Sequence, residues 1–349
     1  MSTSTTPPMP LNPATSSASS HGPSNDVASF KEFLSSSKRV LALCGAGLGA
    51  SSGLDTFRGT GGMWRNYRAE SLATPQAFKR EPGLVWLFYS YRRHKALAAK
   101  PNKGHFALAE LARRMKKDGE DEEGFVCLTQ NVDGEWENTG MYSFANHKPG
   151  LAQRANHPEG SLKLLHGCLY DIKCSSPSCN YRERNNFDDP YHPSLAITDP
   201  EDSRITPVAN EIQGIIASLD PNRNASTVPR DQLPHCPTCK SNLLRPDIVW
   251  FGESLPEDTL QEVDAWIEKD KIDLMLVVGT TAVVYPAAAY VDTARKAGAR
   301  IAVVNIDGDR LGSAGGLRKD DWLFVGDAEE ILAEILGLDE AKDGGHRSA

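Results

Sequence analysis

Four of the seven cysteines in this 349-residue sequence stand in two close pairs that could bind a metal ion. Cys174 and Cys179 form one pair, with four residues between them, and Cys236 and Cys239 form the other, with two between them. Two such pairs far apart in a chain are the usual construction of a tetrahedral Zn²⁺ site, and four thiolates leave no position open for water. The spacing therefore predicts one structural zinc ion, with free buried cysteines or two disulfides as the alternatives.

A second stretch, GAGLGA at residues 45–50, has the composition of a phosphate-binding loop. It follows an apolar run, and Gly45, Gly47 and Ala50 match the G-x-G-x-x-G/A pattern of dinucleotide-binding turns. The helix expected next is interrupted by further glycines, and the acidic residue near the expected ribose-binding position, Glu70, lies in a polar segment. We therefore expect a nucleotide site with a glycine-rich arm, an arrangement that disfavours a hydride-transferring dehydrogenase.

Short polar segments follow several apolar runs, as residues at the carboxyl ends of strands would. TQNVD contributes Gln130, Asn131 and Asp133, LHG contributes His166, and GTT contributes residues 279–281. Amide and carboxylate side chains at such strand ends could grip a nicotinamide amide and ribose hydroxyls, and histidine is suited to proton transfer at neutral pH. Taken singly, TQN could simply cap a strand, and the histidine could be structural.

Apolar runs bounded by Gly, Asp or Asn alternate with helical patterns along the chain. Such runs are typical of strands buried on both faces of a parallel sheet. The alternation predicts an α/β fold, a Rossmann-like doubly wound parallel sheet with the nucleotide at the strand ends. The expected strands are 40–44, 125–129, 273–279, 301–305 and 322–325.

The stretch 168–245 departs from this pattern, because it holds the paired cysteines, many prolines and little periodicity. It is expected to be a small zinc-binding module inserted into a catalytic domain of residues 28–167 and 246–337. Residues 135–160 form a second, polar interruption and predict a surface excursion. The other three cysteines, Cys44, Cys127 and Cys168, lie in apolar runs and are expected in the core.

Charge and composition exclude several classes of function. The net charge of −8 argues against sequence-independent nucleic-acid binding, and no apolar run approaches the roughly 20 residues that span a bilayer. The polar ends, 1–27 and 338–349, predict disordered tails. The first carries no Lys or Arg, so we expect a cytoplasmic or nuclear protein, with a mitochondrial one as the alternative, and a monomer.

In this order, the motifs resemble those of the sirtuins, the Sir2-like NAD-dependent protein deacylases. GAGLGASSGLDTFRG is similar to the family's GAG-x-SA-x-SG-x-P-x-FRG loop, and TQNVD is similar to TQN-x-D. The family's catalytic histidine corresponds to LHG, and its zinc site to the paired cysteines. Its substrate groove resembles RPDIVWFGE, and the rest of its NAD site resembles GTTAVVYPAA and VNID. The resemblance covers residues 30–337.

The resemblance implies an enzyme that cleaves NAD between nicotinamide and ribose and moves the acyl group of an acyl-lysine protein to ADP-ribose. His166 would be the general base on the ribose hydroxyls, Asn131 and Asp133 would position nicotinamide, and residues 249–252 would pair with the substrate as an added strand. The implied substrate-groove residues are Val249, Trp250, Phe251 and Gly252. The implied NAD-binding residues are Gly45, Ala46, Gly47, Ala50, Thr56, Phe57, Arg58, Trp64, Gln130, Asn131, Val132, Asp133, Gly279, Thr280, Thr281, Asn305, Ile306, Asp307 and Ala328.

Tyr89 and Arg92 lie three apart in an amphipathic stretch that predicts a helix, so both side chains share one face. Taken alone, the pair would suggest a tyrosine packed in a helix interface and an arginine on a solvent-exposed edge. TFRGTGGMW, LATP and FYSYRR, however, resemble the sirtuin branch that removes malonyl, succinyl and glutaryl groups, in which a Tyr-x-x-Arg pair binds the distal carboxylate and an alanine widens the pocket. Ala73, Tyr89 and Arg92 fall on those positions, which implies a preference for acidic acyl groups over acetyl.

Three positions depart from the family pattern. Gly49 stands in place of Ser, Asp55 in place of Pro, and Glu135-Trp136 in place of Leu-His. Two other functions stay open: a protein ADP-ribosyltransferase that uses the same NAD site, and a non-catalytic module that binds NAD or acyl-lysine. The presence of His166 disfavours the second.

Overall fold

The computed structural model describes residues 22–57, 62–65, 67–116, 124–133, 150–196 and 227–338. Arg58 and most of the 135–160 interruption lie outside these residues. The helices are α1 Val27–Ser36, α2 Gly47–Ala50, α3 Ala69–Leu72, α4 Pro75–Arg80, α5 Pro82–Ala98, α6 Lys103–Met115, α7 Leu151–Arg154, α8 Glu257–Lys269, α9 Ala289–Lys296 and α10 Ala328–Ile335. The strands are β1 Val40–Cys44, β2 Met63–Trp64, β3 Tyr67–Arg68, β4 Phe125–Thr129, β5 Leu162–Leu164, β6 Gly167–Cys174, β7 Arg182–Glu183, β8 Leu244–Ile248, β9 Leu274–Val278, β10 Arg300–Asn305 and β11 Trp322–Val325.

A parallel sheet of six strands forms the centre of the larger domain, in the order β11-β10-β9-β1-β4-β5. The chain builds outward from β1 through β4 and β5, then returns to the other side of β1 with β9, β10 and β11. The strand order thus reverses between β1 and β9, and ligands of open α/β sheets bind at the carboxyl ends beside such a reversal. The predicted fold class is confirmed.

Helices cover both faces of this sheet because its strands are apolar on both sides. In β1, Val40, Ala42 and Cys44 join a core with α1, α6 and α10, whereas Leu41 and Leu43 join a second core with α8 and α9. All five residues have no exposed surface. Alternate side chains of a strand point to opposite faces, so a run without polar residues requires a cover on each.

The predicted strands are all present, and one further strand joins them. The observed bounds of β9 and β10 differ from the predicted bounds by one residue at their ends. The additional strand, β5, has only three residues and pairs with β4 at the sheet edge. Such a short run carries too few residues for a periodic signal.

The region between β5 and β9 contains a second, antiparallel sheet in the order β7-β6-β8. This sheet shares a third core with α4 and α5. The strands β6 and β8 extend to Gly167 and Ile248, across the predicted module limits of 168 and 245. These limits remain predictions.

No helix in the described part of the chain combines the length and the hydropathy needed to cross a membrane.

Candidate active site

Two glycine loops meet at the carboxyl ends of β1 and β9. The Gly47 amide donates to the Gly279 carbonyl over 2.8 Å, and a Cβ atom on Gly47 would lie 2.7 Å from the Gly279 Cα. Gly279 itself has a φ of +57°, which favours glycine. The backbones can therefore approach only without side chains, and this leaves main-chain surface open to a phosphate group.

A cavity of about 760 Å³ opens at this edge of the sheet and extends to α5 and the segment after β8. Its lining brings together most of the predicted NAD-binding and substrate-binding residues. Those that line it are Ala46, Gly47, Thr56, Phe57, Ala73, Tyr89, Arg92, Gln130, Asn131, Val132, Asp133, His166, Val249, Trp250, Phe251, Gly252, Gly279, Thr280, Thr281, Asn305, Ile306 and Asp307.

Four predicted NAD-binding residues lie outside the cavity wall. A Cβ atom on Gly45 would lie 2.6 Å from Thr280 Cβ, so Gly45 supports the loop from behind. Ala50 ends α2 and is exposed, whereas Ala328 begins α10 and is buried. Trp64 packs its ring against Phe88, with centroids 5.5 Å apart. Gly45 and Trp64 thus support the site from outside its lining, and the NAD-binding role of all four remains a prediction.

The TQN segment connects the two halves of the sheet. The Gln130 amide donates to the Cys44 carbonyl over 2.8 Å, which continues the β1–β4 pairing. Its side-chain oxygen accepts a hydrogen bond of 2.9 Å from the Thr280 hydroxyl. The next amide, that of Asn131, donates to Thr129 Oγ1. These bonds hold both amide-bearing residues at the sheet edge, in the wall of the cavity.

His166 is fixed in one orientation by the main chain. Its Nδ1 lies 3.0 Å from the Gln130 carbonyl oxygen, an acceptor, so Nδ1 carries the proton and Nε2 is left as the basic nitrogen. Burial lowers the pKa of His166 below its ordinary value, and the hydrogen bond to Gln130 opposes this only in part. A neutral imidazole with one free nitrogen is the form that a general base requires.

Asp133 is held against Leu151, a fully buried residue of the predicted 135–160 interruption, so the prediction of a surface excursion is wrong for this part of it. Burial raises the pKa of its carboxyl, and the Leu151 amide donates to it over 3.3 Å. Helix α7 therefore lies directly against Asp133 although 17 residues separate Leu151 from it in the sequence. The departure from the family pattern at Gly134-Glu135-Trp136 lies in residues 134–149, which are outside the described residues. The chain is described again from Gly150, and Leu151 contacts Asp133.

The acyl-binding candidates come from α3 and α5. Tyr89 is fully buried, its hydroxyl accepts a 2.9 Å bond from Trp250 Nε1, and burial raises its pKa. Arg92 donates from Nη2 to the Asp55 carbonyl and lies 4.3 Å above the Phe57 ring. The structure confirms that this stretch is helical and places Tyr89, Arg92 and Ala73 in one cavity wall.

The predicted substrate groove follows β8. The Val249 amide donates to the His166 carbonyl over 2.9 Å, and the Phe251 amide donates to the Ala73 carbonyl over 3.0 Å. The Trp250 amide donates to Glu253, which is paired with Arg245 at 2.6 Å. These amides are thus used within the chain, and an added substrate strand would rely on the carbonyl oxygens of this segment.

The four predicted zinc ligands converge at one point. Their Sγ atoms all lie within 4.8 Å of one another, with Cys174–Cys239 and Cys179–Cys236 separations of 3.7 Å. Thiolates bound at about 2.3 Å to a tetrahedral zinc ion would be about 3.8 Å apart. Asn242 donates to Cys239 Sγ and lowers the pKa of that thiol, which favours the thiolate, whereas burial raises the pKa of the Cys174 thiol. The residues therefore fit zinc, and all four cysteines are free of disulfides.

Several cavity residues were not identified as binding residues from the sequence. Asp55 appeared only as a departure from the family pattern, and Tyr285 only as part of a longer motif. Arg310 and Gly312 stand a few positions after β10, and that proximity was the available signal. Glu70 was considered only as the acidic residue near the expected ribose-binding position, and Lys95 lies in the helix that carries Tyr89 and Arg92.

The fold and the site define an NAD-binding α/β enzyme with a structural zinc module. The sequence profile of the Sir2 family matches residues 45–286. An NAD-dependent protein deacylase of Candida albicans is 42% identical over 316 residues, which cover 88% of this chain and 95% of the relative. The mitochondrial NAD-dependent protein deacylase sirtuin-5 of Danio rerio is 36% identical over 288 residues, or 82% of this chain and 79% of the relative.

Solved structures show the same relationship. A Sir2 homologue in complex with NAD superimposes with a TM-score of 0.63 at 31% identity, covering 92% of this chain and 96% of that structure. The chain therefore belongs to the Sir2 family of NAD-dependent protein deacylases. Its co-substrate is NAD, and its cysteine tetrad is a structural zinc site.

Proposed function

We propose that this enzyme preferentially removes acidic acyl groups, namely succinyl, malonyl and glutaryl, from lysine side chains of proteins, and removes acetyl more weakly. The observation that carries the proposal is the environment of Arg92. Among the described residues, no carboxylate forms an ion pair with its guanidinium, and its buried Nε has no hydrogen-bond partner. Buried charges are normally paired, so an arginine left in this state in a cavity wall fits an anionic ligand.

The neighbours of Arg92 favour a carboxylate at the end of a short chain. The Tyr89 hydroxyl accepts its bond from Trp250, so its own proton remains available to a ligand oxygen. The small side chain of Ala73 in the same wall leaves room that a larger residue would fill. An acetyl group would offer neither donor a charged acceptor, and it would leave the guanidinium unmatched.

The residues at the opposite end of the cavity perform the reaction. When bound, NAD would supply the ribose carbon that accepts the acyl oxygen, with nicotinamide as the leaving group. Asn131 and Asp133 orient the nicotinamide amide, and His166 accepts a proton at Nε2 from a ribose hydroxyl. The hydrogen bond from His166 Nδ1 to the Gln130 carbonyl keeps Nε2 unprotonated and free to accept that proton. With one water molecule consumed, the products are free lysine, nicotinamide and O-acyl-ADP-ribose.

The test is a panel of matched peptides that carry succinyl-, malonyl-, glutaryl- or acetyl-lysine, incubated with NAD and analysed by mass spectrometry. We expect succinyl or malonyl peptides to exceed acetyl by at least about tenfold in kcat/KM, roughly 1.4 kcal/mol. Equal or better acetyl turnover would remove the acidic-acyl proposal and leave the deacylase activity intact. ADP-ribose attached to protein, without free lysine, would favour the ADP-ribosyltransferase instead.

We further propose that the enzyme acts as a monomer. Of the seven large apolar side chains that are exposed in the described residues, four line the cavity and thus belong to the site. The remaining three are Met63, Phe106 and Val325. Light scattering after size-exclusion chromatography measures the mass in solution, which should be that of one 38.0 kDa chain.

Its compartment must be a reducing one, because the zinc ligands are thiolates. The cytoplasm and nucleus meet this condition, and so does the mitochondrial matrix. The name of the Danio rerio relative describes that protein as mitochondrial. We retain the cytoplasm or nucleus as the proposal and the mitochondrion as the alternative. Cell fractionation of the full chain distinguishes them.

A further inference from the structure

Asp55 makes two separate contacts with helix α5. Its carboxylate Oδ2 accepts a 3.0 Å hydrogen bond from the Tyr91 hydroxyl, and its main-chain oxygen accepts a 3.2 Å bond from Arg92 Nη2. Both partners lie on the helix that carries the acyl-binding candidates. A proline, the residue that the family pattern has here, could make the main-chain contact but has no side-chain acceptor for Tyr91.

Asp55 also belongs to the segment that forms part of the NAD end of the cavity. Residues 54–57 all line the cavity, and Thr56 and Phe57 are among the predicted NAD-binding residues. The Phe57 ring lies under the Arg92 guanidinium at 4.3 Å, which adds a third contact between this segment and α5. The guanidinium therefore touches the NAD-side segment and the acyl pocket at the same time.

We propose that Asp55 and Tyr91 are positioning residues that couple the acyl end of the site to the NAD end. A carboxylate bound by Arg92 restricts the motion of the guanidinium. The restricted guanidinium and the Tyr91 hydroxyl then hold residues 54–57 in their position in the cavity lining. An acidic acyl-lysine peptide then tightens NAD binding, and by linkage NAD tightens peptide binding by the same factor. The inference rests on the proposed acidic-acyl function and deepens it.

Calorimetric binding of ADP-ribose tests this coupling, because ADP-ribose lacks nicotinamide and cannot react. In the wild type, a saturating succinyl-lysine peptide should lower the Kd for ADP-ribose by at least about fivefold, the lower range of measured couplings. Tyr91→Phe removes only the hydroxyl and should reduce that factor to about twofold or less. Asp55→Ala should act similarly, and the double variant should show no further loss because both changes remove one bond. Asp55→Asn keeps an acceptor and should retain most of the coupling.

Tyr191→Phe is the matched control. The Tyr191 hydroxyl also donates to a carboxylate over 3.0 Å, that of Glu183, but it does so outside the cavity lining. Wild-type coupling should persist in this variant. Undiminished coupling in Tyr91→Phe, an equal loss in Tyr191→Phe, or no coupling in the wild type would each overturn the inference. The wild-type turnover ratio between succinyl and acetyl peptides tests the proposed function separately, since none of these variants enters that comparison.

Discussion

His166 has the geometry of a base whose proton acceptor is fixed in advance. Because Nδ1 is engaged by the Gln130 carbonyl, removal of the ring should affect proton transfer and leave the nucleotide contacts in place. We expect His166→Ala to reduce deacylation by about 10²- to 10⁴-fold, the usual contribution of a positioned acid or base. ADP-ribose binding should remain within about threefold of the wild-type value. Near-wild-type turnover would show that another group accepts the proton.

The pH dependence follows from the same residue. Burial lowers the pKa of His166, so the neutral, reactive imidazole persists to lower pH than in an exposed histidine. Activity should therefore rise with pH through that lowered pKa, and the acid limb of kcat/KM should have its midpoint below about 6.5. A pH–rate profile with the succinyl peptide gives this midpoint. A midpoint above 7 would argue against His166 as the titrating group.

Arg92 should determine acyl preference through binding. Arg92→Met keeps a long apolar side chain over the Phe57 ring but removes every donor toward a carboxylate. We expect the preference for succinyl over acetyl to disappear, mainly through a higher KM for the succinyl peptide. Acetyl turnover should not fall by more than about threefold and should rise where the unmatched guanidinium had opposed it, and it serves as the internal control. If the preference survives, a different cation must bind the acyl carboxylate.

At the scale of elements, α5 has two working faces. One face carries Tyr89 and Arg92 in the cavity wall. The other binds carbonyl oxygens of the zinc-side region: Trp86 donates to Leu244, and Ser90 donates to Leu195. A three- or four-residue step separates neighbours on each face, as the helical period requires. The zinc-side region thereby fixes the helix that carries the proposed acyl-binding residues.

Arg93 is the strongest of these attachments. It is 1% exposed, and its guanidinium donates to the carbonyl oxygens of Leu169, Asn186 and Asp188 over 2.6–2.9 Å. Arg93→Met would leave these acceptors unsatisfied and should cost at least about 2 kcal/mol of unfolding free energy. Urea unfolding measures the change. Arg80→Met, at an exposed position of α4, is the control and should stay within about 0.5 kcal/mol.

Much of this architecture could be predicted from sequence because the signals are local. A few adjacent residues predict the structure in each of three cases: the apolar run in β1, the glycine loop and the cysteine pairs. Contacts between distant segments gave no such signal. The bond between Asp55 and Tyr91 joins positions 36 apart, and the bond between Leu151 and Asp133 joins positions 18 apart. Only the folded chain brings these groups together.

At the scale of the whole molecule, three hydrophobic cores support the cavity from different sides. Two lie on either face of the parallel sheet and form the frame of the NAD end, and the third joins α4 and α5 to the zinc-side strands. The cavity extends from one part to the other. The NAD end therefore rests mainly on the two sheet cores and the proposed acyl end on the third, although Trp64 and Val132 of the predicted NAD-binding residues also belong to the third core. Damage to the third core should affect the acyl peptide first.

Zinc removal tests this division. The purified protein should contain one zinc ion per chain, and Cys239→Ser should lose it, because four thiolates in a small module supply much of its folding energy. Since α5 is attached to that module, succinyl-peptide binding should fall by at least about tenfold, while ADP-ribose binding should weaken less. Ser178→Ala is the control, because its hydroxyl contacts only Ser176 within the described residues. A metal content near zero in an active preparation would rule out the zinc site. Equal loss of both ligands in Cys239→Ser would show instead that the sheet and the module unfold as one unit.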